Sequence, residues 1–312
     1  MGGYIGTLYL LFDALMKGEI SVGAFAAVFS SIDRLYSIME EVICRHIGGI
    51  AQNLGTVQNY INFLGFPELQ GTDEELPEDF DIKLQDLVFA YPGAERNAIN
   101  KVNLTIKNGE TIALVGENGS GKSTLIRLIT GLYQPAAGSV LYGDLSTDRI
   151  KLSALARNIS AVFQDYGRYQ MTLAENIAIS DTQKEPSEEE LDRVSGMAGL
   201  SREDECFPDG YDTMLSREFD GVDISGGQWQ RVAIGRGFYR KHKLIILDEP
   251  TAAIDPLEES RIYNRFAELS KDKTAIIVTH RLGSVKLADR IVVLKDGEIV
   301  EVGNHAELME NG

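Results

Sequence analysis

The sequence of 312 residues predicts an α/β domain that follows a long helical segment. Three observations predict this fold class. Residues 1–66 are apolar with helical spacing, short apolar runs typical of buried parallel strands recur later, and a glycine-rich loop joins one such run to a helix. The length suffices for one large domain and an appendage, and we expect a mixed sheet core with an antiparallel subdomain and a helical insertion.

Residues 1–66 have the pattern of helices that pack against other helices. Residues 4–16 are apolar but for one aspartate, and they are too few to cross a bilayer, which needs about 20 residues. After a break at residues 17–19, apolar side chains recur at steps of three and four, with one further step of four near Ile43. This apolar seam consists of Val22, Phe25, Phe29, Ile32, Tyr36, Met39, Ile43, Ile47, Ile50, Leu54, Val57, Ile61 and Leu64.

The seam predicts one long helix with a stutter, and such a helix must pack on others. Because residues 25–32 are apolar all round, we favour the C-terminal remnant of a transmembrane helical domain. The alternative is a bundle segment of a soluble protein.

Pro67 ends the helical segment, and the acidic stretch after it predicts a linker over residues 67–79. A second domain is expected over residues 80–312. Its first strands alternate between apolar and polar residues in the manner of an antiparallel sheet. The apolar positions of these strands are Ile82, Leu84, Leu87, Phe89, Val102, Leu104 and Ile106.

Three short, fully apolar runs predict buried parallel strands that helices separate. These runs are residues 244–247, 275–278 and 291–294. Between about residues 165 and 240 the pattern is helical, and Ser187 with Glu190 predicts a capping box for one of these helices. A helical insertion, or helical subdomain, is therefore expected to interrupt the α/β core.

The charge of the chain argues against nucleic acid as a partner. Lys and Arg number 30 and Asp and Glu number 47, which gives a formal net charge of −17. Phosphate backbones instead bind dense lysine and arginine surfaces. Cys44 and Cys206 have neither metal-ligand nor redox spacing, so we expect two free thiols and a reducing compartment.

Residues 116–123 fit the phosphate-loop pattern G-x-x-x-x-G-K-[ST] between a predicted strand and a predicted helix. The glycines let successive backbone N–H groups point at phosphate oxygens, and the helix N-terminus adds partial positive charge. Lys122 is expected to reach the β- and γ-phosphates and Ser123 to bind Mg²⁺. The alternative is a glycine-rich turn that binds nothing. The predicted nucleotide contacts here are Gly116, Asn118, Gly119, Ser120, Gly121, Lys122, Ser123 and Thr124.

Two acids, Asp248 and Glu249, end the apolar run at residues 244–247. Ligands of open α/β sheets bind beyond the carboxyl ends of the strands, so Asp248 is expected to meet Mg²⁺ beside Ser123. Glu249 is then expected to polarise a water aimed at the γ-phosphate. The alternative is a strand end with two solvated acids.

Residues 223–231, D-I-S-G-G-Q-W-Q-R, carry a family resemblance. The chain resembles the nucleotide-binding domain of ABC transporters, whose signature reads L-S-G-G-Q, with the volume-conserving Ile224 in place of leucine. Ser225 is a good N-cap, and the two glycines after it expose backbone N–H groups at the start of a helix, which makes a second anion site. The alternative is an ordinary serine-capped helix.

The resemblance implies a head-to-tail pair of nucleotide-binding domains, identical or different, that share ATP and Mg²⁺. In such a pair the signature of one copy caps the γ-phosphate held by the phosphate loop of the other. The signature residues that bind nucleotide in this way are Ser225, Gly226, Gly227 and Gln228.

Four further residues match positions with known roles in the resembling family. Tyr91 looks like the aromatic residue that stacks on adenine, and Asp255 like the acid that reaches across the dimer. Gln164 looks like the glutamine that senses Mg²⁺ and the attacking water at the junction with the helical insertion. His280 looks like the histidine that holds the γ-phosphate and the catalytic water. The resemblance thus implies Glu249, His280 and Gln164 as catalytic residues, and Ser123, Gln164 and Asp248 as magnesium ligands.

The resemblance covers about residues 80–312, and residues 1–66 look like the end of an exporter's membrane domain. It implies a fragment of an exporter-type half-transporter in the cell membrane, with the nucleotide-binding domain in the cytoplasm. Head-to-tail dimerisation and ATP hydrolysis would then move membrane helices in the lipid bilayer and export an unknown substrate. Two rivals remain: a soluble ABC-type ATPase clamp that is not engaged in transport, and a regulator that binds nucleotide without hydrolysing it.

Two departures from the family pattern stand out. Residues 216–222 replace a loop that commonly reads T-E-V-G-E-R-G, which leaves the exporter subtype open. Gly235 and Gly237 stand where alanine is usual, at an expected cost of about 1 kcal/mol each.

Overall fold

The computed structural model describes residues 2–42, 48–65, 71–72, 76–249, 256–270, 273–279 and 282–311. The chain divides into two compact units, Met1–Glu68 and Leu69–Gly312.

The first unit is helical, with α1 at Gly2–Met16, α2 at Val22–Glu40 and α3 at Gly48–Leu64. Ser21 caps α2, because its hydroxyl accepts the Ala24 N–H at 3.2 Å. α1 and α2 run antiparallel, since Tyr4 meets Tyr36 with ring centroids 4.6 Å apart and Phe12 meets Phe25 at 6.3 Å.

A π-helical stretch at Glu41 and Val42 follows α2. Such a stretch accommodates an extra residue in a helix, next to the place where the seam takes its further step of four. Ile43, where the stutter was predicted, lies outside the described residues.

None of the described residues of α2 is buried, and by length and composition Val22–Glu40 could cross a membrane. In α3, seam residues such as Leu54, Ile61 and Leu64 are more than half exposed. As far as the first unit is described, the seam therefore remains largely uncovered, and α1 packs on part of it.

Where the structure describes the second unit, ten strands form two sheets. The strands are β1 Ile82–Phe89, β2 Ile99–Ile106, β3 Thr111–Val115, β4 Ala137–Tyr142, β5 Leu145–Ser146, β6 Ile159–Val162, β7 Leu244–Asp248, β8 Thr274–Val278, β9 Arg290–Lys295 and β10 Glu298–Gly303. An antiparallel four-stranded sheet has the order β2-β1-β4-β5. A mixed six-stranded sheet has the order β10-β9-β3-β8-β7-β6, parallel except for β10. The three apolar runs lie in β7, β8 and β9 of this second sheet.

The alternation in β1 shifts between Leu84 and Leu87, and the structure gives the reason. Asp86 has a positive φ of 44° there, and the pairing register of β1 with β2 shifts between the two leucines. The Asn103 side chain accepts the Asp86 N–H at 2.9 Å and so satisfies the backbone group that the irregularity frees. A three-residue step can therefore keep both leucines on the buried face.

Eight α-helices accompany the sheets among the residues that the structure describes. They are α4 Lys122–Ile129, α5 Leu152–Asn158, α6 Leu173–Ala178, α7 Glu188–Ala198, α8 Gly226–Tyr239, α9 Pro256–Leu269, α10 Leu282–Val285 and α11 His305–Asn311. α6, α7 and α8 lie between β6 and β7 along the chain and form the helical insertion. Their apolar faces share a core with β6, β7 and β8, to which Leu173, Val194, Trp229 and Phe238 belong.

The capping box predicted at Ser187 is only half formed. The Ser187 hydroxyl accepts the Glu190 N–H at 3.3 Å. The Glu190 carboxylate, however, accepts two contacts from Lys184 at 2.6 and 2.8 Å instead of the backbone N–H of Ser187. The Glu190 carboxylate therefore forms an ion pair with Lys184 and does not complete the capping box. Complete capping boxes form at the starts of α6 and α8.

The two glycines of α8 differ in their surroundings, so the equal cost predicted for them is wrong. A Cβ at Gly237 would lie 2.5 Å from Val162 Cγ2 of β6, whereas a Cβ at Gly235 would meet carbon atoms at 3.7 and 3.8 Å. The close approach of α8 to β6 thus requires glycine at position 237, while position 235 has room for a methyl group.

Candidate nucleotide-binding site

A cleft of about 760 Å³ opens beyond the carboxyl ends of β3, β6 and β7. This is the edge of a parallel sheet where ligands bind, and the volume is within the range of small-molecule sites. The cleft is lined by Tyr91, Ala98, Gly116, Glu117, Asn118, Gly119, Gly121, Lys122, Ser123, Thr124, Arg127, Gln164 and Glu249. Four segments far apart in sequence, each predicted separately to belong to a nucleotide site, therefore meet in one place: Tyr91, the phosphate loop, Gln164 and Glu249.

The phosphate loop runs from the end of β3 to the start of α4 and can close only with glycine at two positions. Gly116 has a φ of 154°, and a Cβ there would lie 2.1 Å from the Leu294 carbonyl oxygen. Gly121 has a φ of 106°, and its Cβ would lie 2.6 Å from the Ala98 carbonyl oxygen. The loop thus packs against neighbouring backbone too closely for any side chain at these two points.

Lys122 is held over the phosphate loop. Its Nζ donates to the carbonyl oxygens of Gly116 and Glu117, both at 2.9 Å, and the residue is 7% exposed. Ser120 is also buried, and its hydroxyl has no hydrogen-bond partner among the described residues. A lysine amine fixed at the mouth of the loop is placed to meet anionic oxygen atoms that enter the cleft.

Asp248 ends β7 with 3% exposure, and its Oδ1 finds no hydrogen-bond donor in the described part of the chain. Burial raises the pKa of this carboxyl group, and a hydrogen bond from the Ser123 side chain opposes that rise. A buried carboxylate oxygen without a donor, next to a hydroxyl, is the donor set of a hard divalent cation. The residues present therefore fit Mg²⁺.

The described residues contain no group of three or more His, Cys, Asp or Glu side chains that could hold a metal. Mg²⁺ bound beside phosphates uses only one or two protein carboxylates. The single buried Asp248 is therefore consistent with a magnesium site that substrate oxygens complete.

Glu249 adopts a left-handed backbone conformation with a φ of 49°, which is rare for a residue with a side chain. Its N–H donates to the Val278 carbonyl oxygen at 3.1 Å, so the next strand of the sheet holds the strained turn. Strain of this kind costs on the order of 1–3 kcal/mol and is common at functional sites. Gln164, two residues after β6, lines the same cleft.

Tyr91 lies at the rim of the cleft with 38% exposure. Its hydroxyl and the Thr124 hydroxyl are 2.9 Å apart, and its ring contacts Phe89 and Tyr133 edge-on, with centroids 5.2 and 5.8 Å away. The ring is thus supported from behind by two aromatic side chains and is partly open to solvent, as a stacking surface requires.

Ser225, Gly226 and Gly227, here called the signature turn, begin α8 and are not among the residues that line the cleft. The Ser225 hydroxyl accepts the Gln228 N–H at 3.2 Å, and the Gln228 Oε1 accepts the Ser225 N–H at 3.0 Å. Ser225 and Gly226 are exposed. The chain therefore presents a second preformed helix N-terminus to solvent, away from its own phosphate loop.

Asp255 and His280, both predicted site residues, lie outside the described residues. Arg127 lines the cleft but was not predicted from the sequence. It follows Ser123 by four residues in α4, which places both on one helix face, and this spacing was the signal that could have identified it. Glu117 and Ala98 also line the cleft without having been predicted.

Residues 99–252 match a family model described as ABC transporter. The chain is 32% identical over 316 residues to the nisin transport ATP-binding protein NisT of Lactococcus lactis subsp. lactis, covering 97% of this chain and 51% of that protein. It is 34% identical over 310 residues to the subtilin transport ATP-binding protein SpaT of Bacillus subtilis, covering 96% and 50%. An ATP-dependent lipid A-core flippase of Haemophilus influenzae (strain 86-028NP) is 34% identical over 309 residues, with coverage of 98% and 52%.

A solved structure of a bacterial Atm1-family ABC exporter with ATP bound has a similar fold, with a TM-score of 0.76 and 24% identity. The match covers 99% of this chain and 56% of that one. The chain spans about half the length of the curated relatives it matches. These comparisons confirm the predicted fold class and the resemblance in the sequence.

Proposed function

Because this chain belongs to the ABC transporter family, we propose that it is the ATP-binding and ATP-hydrolysing part of an exporter. The observation that carries the proposal is the meeting of the phosphate loop, Gln164 and Glu249 in one cleft, with Asp248 beside Ser123. These are the parts that phosphoryl transfer to water requires: a phosphate cradle, a metal ligand, and a group that orients the nucleophile.

Each residue of the cleft has a separate role in nucleotide binding or hydrolysis. Lys122 and the loop N–H groups bind the β- and γ-phosphates, and Tyr91 stacks on the base. Asp248, Ser123 and Gln164 hold Mg²⁺, which when bound neutralises charge on the transferred phosphoryl group. Glu249 accepts a hydrogen bond from the attacking water and removes its proton. Fixed donors around the equatorial oxygens supply most of the catalysis in this type of transfer.

A second nucleotide-binding domain, identical or different, completes each site. The signature turn is exposed and its N–H groups already form a helix N-terminus, so it can cap a γ-phosphate held by another copy. Such a pair is head to tail and contains two sites, which are equivalent if the two domains are identical. According to the family pattern, Asp255 reaches across this interface, and His280 holds the γ-phosphate and the catalytic water.

The first unit supplies the link to transport. Val22–Glu40 is long and apolar enough to cross a membrane, and the uncovered seam of α3 offers a face for other helices. We place the chain in the cell membrane with its nucleotide-binding domain in the cytoplasm. This apolar first unit favours an exporter over a soluble ATPase clamp, and Glu249 in the cleft favours hydrolysis over regulatory binding alone.

Two variants of the whole chain test the proposal. Lys122→Ala should abolish phosphate release, because it removes the cation from the loop, whereas Lys241→Ala, an exposed lysine outside the cleft, should not. Glu249→Gln should bind MgATP without turnover and accumulate an ATP-loaded dimer in light scattering. Unchanged phosphate release by Lys122→Ala would refute the assigned site.

A further inference from the structure

The segment that carries Gln164 is tied to the start of α8 by one side chain. The Tyr166 hydroxyl donates to the Gly226 carbonyl oxygen at 3.0 Å, across 60 residues of sequence. Tyr166 lies two residues after Gln164, and Gly226 belongs to the signature turn. A single hydrogen bond therefore joins a loop of the nucleotide cleft to the surface that we assign to the nucleotide of the other copy.

The same segment is tied to the far end of α8 by Arg236. The Arg236 guanidinium donates to the Gly167 carbonyl oxygen at 3.1 Å and lies 4.7 Å from the centre of the Tyr169 ring. It also donates to the Asn176 carbonyl oxygen at 2.9 Å. The two ties to α8 are ten residues apart, about 15 Å along a helix, so they fix its direction and not only its position.

A cavity of about 330 Å³ borders this segment and the C-terminal half of α8. Its lining includes Tyr166, Gly167 and Tyr169 on one side and Arg236 and Gly237 on the other. Side-chain packing between the segment and α8 is therefore incomplete beside Arg236 and Gly237, while Tyr166 packs against the core cluster that contains Trp229. The hydrogen bonds at the two ends are the directional contacts that add to this packing.

We propose that Tyr166 is a positioning residue that makes the signature turn follow Gln164. The inference rests on the proposed function and names the residue through which one site acts on the other. A displacement of Gln164 by bound MgATP moves Gly226 through the Tyr166 hydroxyl. Without that hydroxyl the Arg236 tie still holds the segment to the C-terminal part of α8, but the hydrogen bond to the signature turn is lost.

Tyr166→Phe removes only the hydroxyl, and Trp229 reports the result. Trp229 is the single tryptophan of the chain, three residues after Gly226 and 4% exposed. In the whole parental chain, a non-hydrolysable ATP analogue with Mg²⁺ should shift Trp229 emission. In Tyr166→Phe the analogue should bind with the same affinity, while the emission shift falls to less than half. The kcat for ATP should fall about fivefold at unchanged KM, which corresponds to the loss of one hydrogen bond.

Tyr211→Phe is the matched control, because its hydroxyl donates to Asp192 at 2.8 Å within the helical insertion. It should leave the emission shift and kcat as in the parental chain. An equal shift and equal kcat in Tyr166→Phe would overturn the inference, as would a parental chain that binds the analogue without any shift. A Tyr166→Phe chain that lost nucleotide affinity together with thermal stability would show a merely structural role. Failure of the parental chain to bind the analogue at all would instead overturn the proposed function beneath it.

Discussion

Replacing Gly237 with alanine should destabilise the second unit, whereas Gly235→Ala in the same helix should stabilise it. Both substitutions gain up to about 1 kcal/mol of helix propensity. At Gly237 the new Cβ would lie 2.5 Å from Val162 Cγ2, far inside a carbon–carbon contact, and the backbone cannot withdraw because Ser160 donates to the Gly237 carbonyl oxygen at 2.7 Å. Overpacking of this kind costs about 1–3 kcal/mol.

The propensity gain is common to both variants, so the difference between them isolates the packing term, about 1–3 kcal/mol in favour of Gly235→Ala. Urea unfolding followed by Trp229 emission measures it, since Trp229 is buried in α8. Adding Val162→Ala to the Gly237→Ala chain should recover part of the loss, because the clashing methyl group is gone. Equal unfolding midpoints and slopes for the two single variants would refute the reasoning.

Two further predictions concern acid stability and base stacking. Burial lowers the pKa of His242 to about 4, aided by Lys273, whose Nζ lies 3.3 Å from Nε2. The unfolded chain takes up this proton near pH 6.5 and the folded chain only near pH 4, so stability should fall by up to about 2 kcal/mol from pH 7 to 5. Urea unfolding checks this, and an undiminished pH dependence in His242→Gln would contradict it. Tyr91→Ala should raise the Kd for MgATP roughly 5- to 150-fold in calorimetry, while Tyr91→Phe changes it little. If the Tyr91→Ala chain bound MgATP as tightly as the parental chain, stacking of Tyr91 on the base would be excluded.

The buried centre of the large sheet was predictable, and its edges were not. β7 and β8 are apolar at almost every position because helices or loops cover both faces, and such runs are visible in any sequence. β6 reads I-S-A-V, where Ser160 uses its hydroxyl on the Gly237 carbonyl oxygen. β10 is an edge strand with mostly exposed side chains, so its pattern resembles that of a loop.

The candidate site, too, was predictable from the sequence only in part. The phosphate loop and Asp248 follow from local pattern, because a loop between strand and helix and an acid at a strand end are local features. The Tyr166 contact with Gly226 joins residues 60 apart, and no periodicity encodes it. Likewise, the sequence pattern predicted that the Glu190 carboxylate would cap a helix, but it binds Lys184, six residues earlier in the chain. Contacts between residues far apart in sequence, and competition between possible partners for one side chain, are therefore not predictable from local sequence patterns.

Activity of a mixture of two inactive variants tests most directly the claim that each copy completes the site of the other. Lys122→Ala disables the phosphate loop and keeps the signature turn. Gly226→Asp disables the signature turn, because it places a carboxylate where the γ-phosphate would bind, and it keeps the phosphate loop. A Cβ at position 226 meets nothing within 4 Å, so the fold should be preserved.

Each variant alone should release no phosphate, while the mixture should recover up to about a quarter of parental activity, because half of randomly formed dimers hold one intact site of two. A mixture as inactive as its components, with mixed dimers present in light scattering and mass analysis, would contradict the account.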